Sequence, residues 1–196
     1  MNGQLMGVIS LILSAVLLEN YIFVKFLGCC PFFGLSDKPS NAIGMGCAVT
    51  FVMTVACAAT WAVYHLILVR FHLEYLKTIA FILIIASLVQ LIEMFLRKYV
   101  KALYSALGIY LPLITTNCAI LGSALLCVNN NYTFGTSVLY GFFSAVGFTL
   151  AIVVFAGVRA KVEYAEVPKA FRGIPIALVE AGLLAMAFSG FQGASL

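Results

Sequence analysis

The sequence predicts an all-α integral membrane protein: six transmembrane helices, arranged as two inverted three-helix repeats with broken helices at two cysteine motifs. Three observations carry this. The chain is 64% hydrophobic and only 9% charged, with mean hydropathy +1.12, whereas roughly a quarter of residues are charged in soluble domains. Apolar stretches of about 20 residues, the length that crosses about 30 Å of hydrocarbon, recur six times. Finally, Cys30-Pro31-Phe32-Phe33-Gly34 and Cys118-Ala119-Ile120-Leu121-Gly122 share a Cys-x-x-x-Gly pattern 88 residues apart, and Glu93 and Glu180 each stand alone in an apolar run, 87 residues apart. Self-similarity at a fixed offset is the mark of a duplicated unit.

The first span is Leu5–Phe26. Its start, Met1-Asn2-Gly3-Gln4, has no basic n-region, and no small-x-small cleavage site follows, so it reads as a retained helix and not a signal peptide. Ala42–Tyr64 and Thr78–Leu96 are the second and third spans. Residues 102–158 contain no Asp, Glu, Lys, Arg or His, and Asn129-Asn130-Asn131 is the only strong break, so this run holds two spans, Ala102–Leu126 and Phe134–Val158. Gly173–Phe191 is the sixth. No loop or end is long enough to bury a soluble core. The chain is therefore expected to be a single membrane domain over residues 1–196, with repeat 1 over about 1–100 and repeat 2 over about 101–196.

Basic residues orient the spans. Lys25, Lys38, Arg97, Lys98, Lys101, Arg159, Lys161, Lys169 and Arg172 flank the first, third and fifth connections, and only Arg70 and Lys77 lie on the other side. The positive-inside rule then puts those connections in the cytoplasm and both termini outside. Three crossings per repeat is an odd number, so the second repeat enters the membrane from the opposite side and the two are inverted. Gly28, Pro31 and Gly34 near Cys30, and Pro112 and Gly122 near Cys118, are residues that interrupt helices. Non-helical backbone at membrane depth survives only in a protein interior or beside a cavity.

A free Cys in a membrane helix is ordinarily a small hydrophobe, and Cys47, Cys57 and Cys127 fit that reading. Cys29 fits it too, although its neighbour Cys30 makes it a stand-in ligand. Bulk packing does not require a thiol twice at equivalent breakpoints, which sets Cys30 and Cys118 apart. A disulfide would add little to helices that the bilayer already orders. A zinc or iron–sulfur site needs four protein ligands, of which two cysteines supply half. The other half would come from a second chain, most simply a homologous one.

Three segments carry a family resemblance: Lys25-Phe26-Leu27-Gly28-Cys29-Cys30-Pro31-Phe32, then Gly108-Ile109-Tyr110-Leu111-Pro112-Leu113-Ile114-Thr115-Thr116-Asn117-Cys118-Ala119, then Val167-Pro168-Lys169-Ala170-Phe171-Arg172-Gly173. Together they resemble the RnfA/NqrE family, membrane subunits of the Rnf complex and of the sodium-pumping NADH:quinone oxidoreductase. The resemblance spans essentially the whole chain, and the Cys-Pro-Phe and Thr-Thr-Asn-Cys spellings favour the Rnf side. It implies one component of a redox-driven Na+ or H+ translocating ferredoxin:NAD+ oxidoreductase in a bacterial or archaeal cytoplasmic (inner) membrane. It further implies that Cys30 and Cys118, with Cys29 the alternative to Cys30, ligate an intramembrane [2Fe–2S] cluster completed by a homologous RnfE-like subunit. Other subunits would carry flavins and iron–sulfur clusters. This chain has no flavin attachment motif and no complete active site.

Phe32, Phe33, Ile120 and Leu121 would keep water from such a site. Thr115, Thr116 and Asn117 would either donate bonds to sulfur or cap a broken helix. Glu93 and Glu180 are the candidate ion path, because an ionisable side chain inside a membrane span is costly. Against this, Glu93 lies four residues before Arg97 and could pair with it near the interface. Glu19 and Lys25 read as interfacial. Gly44-Met45-Gly46 lacks the strand and third glycine of a dinucleotide site. His65 and His72 suit no helical metal pair, Asn131-Tyr132-Thr133 matters only in a secretory pathway, and the net charge of +4 follows from topology and does not indicate nucleic acid. Two other classes stay open: a small inverted-repeat secondary transporter, which would tolerate Ser at both cysteine positions, and a scaffold for redox subunits, which would not need the thiols for electron flow.

Overall fold

The computed structural model describes residues 10–18, 20–35, 39–70, 74–99, 114, 116–162, 164, 168 and 171–192. Among these there is no strand. The helices in chain order are α1 (10–18, ending in the π-helical turn Ser14–Leu18), α2 (Cys29–Leu35), α3 (Pro39–Val63, continued by the π-helical turn Tyr64–Leu68), α4 (Lys77–Tyr99), α5 (Cys118–Asn129), α6 (Phe134–Val162) and α7 (Ile174–Gln192). Among the described residues, three stretches are long and apolar enough to cross a membrane: Pro39–Leu68, Lys77–Phe95 and Phe134–Val162. Cys118–Asn129 and Ile174–Gly190 are shorter apolar helices. Most of the predicted fourth span, Ala102–Leu126, lies outside the described residues, as do Pro112, Thr115, Glu19 and His72.

The apolar pattern sets what each helix buries. On α3 the buried residues Ala42, Met45, Val49, Val52, Met53, Ala56, Cys57 and Thr60 recur every three or four positions, which is one face of a helix. On α6 a similar stripe runs through Tyr140, Ser144, Phe148, Ile152 and Phe155. The outer faces are apolar as well. Ile79, Ile82, Leu83, Leu91 and Met94 of α4 and Ile174, Leu178, Leu183 and Met186 of α7 are exposed. Surfaces of that extent are normal only where lipid or another protein covers them.

The chain forms two compact units, residues 1–47 with 143–196, and residues 48–142. In the first, α7 packs on the turn Ser14–Leu18. Phe23 meets Phe188 at 4.6 Å and stands edge-on to Phe32, and Phe32 stacks on Phe155 at 4.1 Å. In the second, α4 packs on α5. There the indole Nε1 of Trp61 donates to the Tyr132 carbonyl at 2.8 Å, and the Lys77 ammonium donates to Asn129 Oδ1 at 2.8 Å.

The first predicted span needs correction. Helix does not continue to Phe26: the described helix ends at Leu18, and Asn20, which is 0% exposed, is non-helical. Its Oδ1 accepts from the amides of Ile22 (3.0 Å) and Phe23 (3.5 Å), and its Nδ2 donates to the carbonyls of Val16 (3.3 Å) and Gly147 (2.9 Å). The side chain thereby replaces helical hydrogen bonds that the backbone gives up, the requirement for any chain break away from water. The breakpoints also differ from expectation. Pro31 sits in the first turn of α2, where no amide hydrogen is needed. Gly34 and Gly122 are inside helices. The reversal before α2 falls instead on Phe26 (φ 54°) and Gly28 (φ 85°), in the left-handed region that glycine enters freely and phenylalanine does not.

Candidate functional site

Cys29 and Cys30 are placed by the turn that begins at Asn20. The amides of Val24 and Lys25 donate to the Asn20 carbonyl, and the Leu27 amide donates to the Tyr21 carbonyl at 2.7 Å. Gly28 then turns the chain into α2. The Cys29 thiol is half-buried and donates to the Phe26 carbonyl at 3.1 Å, whereas Cys30 is exposed. Of the two, Cys30 is therefore the sulfur presented outward. α2 is fixed on its far side by Phe32, which is buried, and by Arg159 of α6, whose Nη1 donates to the Phe33 carbonyl at 3.1 Å. That carbonyl is in the last turn of α2.

Cys118 opens α5. Asn117, extended at φ −70° and ψ 110°, is the N-cap, and its Oδ1 accepts from the Ala119 amide at 3.0 Å. This is a standard way to satisfy an orphan donor at a helix start. Capping thus accounts for the Asn117 oxygen, while its buried Nδ2 has no hydrogen-bond partner. Cys118 is half-buried, Ile120 is buried, Leu121 is half-buried and Thr116 is exposed. The two motifs share an architecture: in each unit a non-helical break is followed at once by a thiol in the first turn of a helix. Among the described residues no three His, Cys, Asp or Glu side chains converge. Each motif offers a single thiol, the donor type by which iron–sulfur clusters are held.

Glu180 in α7 is 6% exposed, and neither carboxylate oxygen has a hydrogen-bond partner. Arg159 is the cation whose charge acts on it. Glu93 is half-buried near the end of α4, and Arg97 four residues on is exposed. Lys25 lies over the Tyr21 ring, 5.5 Å from its centroid, and His65 stacks on Trp61.

Sequence reasoning did not single out three features. Asn20 anchors the break, and its only signal was an amide inside an apolar run. Arg159, counted only as a topology marker, holds α2. Cys57, read as packing, forms a polar cluster in the second unit with Ser123 (Sγ to Oγ 3.3 Å) and Cys127, whose thiol points to the Ser137 carbonyl.

A family model described as Rnf-Nqr subunit, membrane protein, matches residues 8–195. The chain belongs to this family. It is 55% identical to a protein of Syntrophotalea carbinolica over 183 residues, covering 93% of this chain and 95% of that one, and 58% identical to a protein of Cronobacter sakazakii with the same coverage. Both relatives are named as components of an ion-translocating oxidoreductase complex. It is also 54% identical over 191 residues to a protein of Acetobacterium woodii, covering 97% of this chain and all of that one, which is named as the corresponding component of a Na(+)-translocating ferredoxin:NAD(+) oxidoreductase complex. Membership of the Rnf-Nqr family confirms the resemblance read from the cysteine segments.

Proposed function

We propose that this chain is the RnfA-type membrane component of an ion-translocating ferredoxin:NAD+ oxidoreductase, and that Cys30 and Cys118 each contribute one thiolate to a [2Fe–2S] cluster. An RnfE-like homologous subunit would supply the other two ligands, and further subunits would carry the flavins and remaining iron–sulfur clusters. When bound, such a cluster supplies one-electron transfer inside the membrane. The observation that carries the reading is the repeated break-then-thiol geometry, one copy per compact unit, in a chain whose relatives are named for such a complex. The alternative, an NqrE-type component of a quinone reductase, would use the same half-site.

The chain's own residues prepare the position. Asn20 and Gly28 turn the backbone toward Cys30, and Asn117 caps the turn that starts at Cys118. Phe32 and Ile120, both buried, keep water from the flanks of the two motifs.

The 88-residue spacing supports an inverted repeat of six spans, and the distribution of basic residues supports a cytoplasmic membrane with both termini outside. A shift of 88 residues carries residues 1–47 to 89–135 and residues 143–196 back to 55–108, and both targets lie inside the other compact unit, 48–142. The same shift brings α2, α3 and α4 onto segments that overlap α5, α6 and α7. A self-match of this kind is what a duplicated unit would give.

The test is iron content and low-temperature EPR of the dithionite-reduced, purified complex carrying wild-type, Cys30→Ser or Cys118→Ser chain. Loss of one [2Fe–2S] signal from an assembled complex is expected for either variant. An unchanged spectrum and iron count would overturn the reading and favour a transporter or scaffold.

A further inference from the structure

One side chain is common to the cysteine helix and to the buried carboxylate. Arg159 donates to the Phe33 carbonyl in the last turn of α2, three residues from Cys30, and its charge acts on Glu180 of α7. The three elements are packed together in one compact unit: Phe155, one turn before Arg159, stacks on Phe32 of α2, and Phe188, two turns after Glu180, meets Phe23 at the turn leading into α2. Glu180 is 6% exposed and both its oxygens lack a hydrogen-bond partner. A carboxylate in that state is costly and demands a cation. The turn Ser14–Leu18 that packs against α7 carries no titratable residue, so among the described residues Arg159 is the charge available to it.

We propose that Glu180 is a binding point for a small monovalent cation, a proton or Na+, and that Arg159 is the positioning residue linking its occupancy to the helix that presents Cys30. With Glu180 empty and charged, the guanidinium is drawn toward the carboxylate. Once a cation neutralises Glu180, that pull is released and the bond to the Phe33 carbonyl is favoured, which tightens the last turn of α2. This deepens the proposed redox role, because it gives the chain a way for ion binding to alter the surroundings of a thiol ligand. Reciprocity follows from linkage: whatever changes α2 must change cation affinity by the same factor.

The test is hydrogen exchange by mass spectrometry on the purified complex, following the amides of residues 29–35. It compares Na+ with K+ at constant ionic strength, and two pH values at constant Na+, in wild type, Glu180→Gln, Arg159→Gln and Arg159→Lys. Expected is several-fold slower exchange of α2 with the coupled cation in wild type. Glu180→Gln should show slow exchange under every condition, Arg159→Gln fast exchange under every condition, and Arg159→Lys partial recovery. A response to Na+ at fixed pH identifies sodium, and a response to pH alone identifies the proton. Should Arg159→Gln also speed exchange in α3, the fold has loosened, and Glu180→Gln and Arg159→Lys decide. Identical α2 exchange in wild type and Glu180→Gln under all four conditions would overturn the proposal.

A redox titration of the same samples separates this proposal from the cluster reading. One-to-one coupling in the reduced state moves a one-electron potential upward by about 59 mV per tenfold increase in cation, and Glu180→Gln should abolish that dependence. A missing cluster signal in wild type together with cation-dependent exchange would sink the cluster and leave the coupling standing.

Discussion

The side-chain amide nitrogen of Asn20 donates to the carbonyl of Gly147 at 2.9 Å, across 127 residues of sequence, and this bond fixes where the first helix ends. The turn that delivers Cys29 and Cys30 begins at that residue. The cysteine motif is therefore positioned by a contact between α6 and the end of α1, in addition to the glycines around it.

Asn20→Ala should be among the more damaging single changes in the chain. It strips the Ile22 amide of its partner, and a buried orphan costs about 1–3 kcal/mol, while the Gly147 carbonyl, inside α6, loses a second hydrogen bond beyond the helical one. Asn20→Asp keeps the acceptor and loses the donor, so an intermediate loss is expected. Thermal unfolding in detergent checks the order, wild type above Asp above Ala.

Gly147→Ala should fail for a related reason. A β-carbon there would stand 2.9 Å from the Val16 carbonyl oxygen and 3.1 Å from the Val16 α-carbon, and backbone atoms cannot swing aside. Gly141→Ala is the informative contrast. Its β-carbon would meet the Cys57 sulfur at 2.8 Å, a clash that costs about 1–3 kcal/mol by overpacking. Adding Cys57→Ala to Gly141→Ala should recover part of that loss, because the sulfur clash goes while the Cys57 β-carbon at 3.1 Å stays, whereas no side-chain truncation should rescue Gly147→Ala. Melting temperatures of these variants decide it.

Asn117→Ala should cost about 1 kcal/mol through loss of the cap, while Asn117→Ser retains it. If the cap also holds Cys118 in register, hydrogen exchange at residues 118–121 should rise in the Ala variant and stay near wild type in the Ser variant. Equal exchange in both would remove the cap from any positioning role.

Among the cysteines, the structure makes a graded expectation. Cys29→Ser and Cys57→Ser should leave the iron content of the purified complex unchanged, since one thiol is engaged with the Phe26 carbonyl and the other lies in the buried cluster with Ser123 and Cys127. Cys30→Ser and Cys118→Ser should each remove the iron of one cluster. Iron loss on Cys29→Ser with retention on Cys30→Ser would reassign the ligand.

Much of this was readable from the chain alone. Helices α3, α4, α6 and α7 begin and end within a few residues of the spans drawn from hydropathy, because the length and apolarity of a membrane helix are sums over local composition. The cysteine pair stood out because its pattern repeats at a fixed offset. Asn20 did not, because a single amide in an apolar run looks the same whether it faces a neighbour or caps its own backbone. Arg159 did not, because a basic residue near a helix end satisfies the positive-inside rule with or without a second task.

By itself, then, the sequence determined the membrane class, the family and the spans that form α3, α4, α6 and α7, all of which depend on residue type and spacing. Only the tertiary structure decided that Asn20 is non-helical and bonded to Gly147, that Cys30 is more exposed than Cys29, and that Arg159 holds the last turn of α2. The helix end and the Arg159 bond depend on partners brought in by packing from far along the chain, Gly147 for Asn20 and Phe33 for Arg159. Burial makes such partners obligatory, because a polar group removed from water must find another polar group or carry the cost.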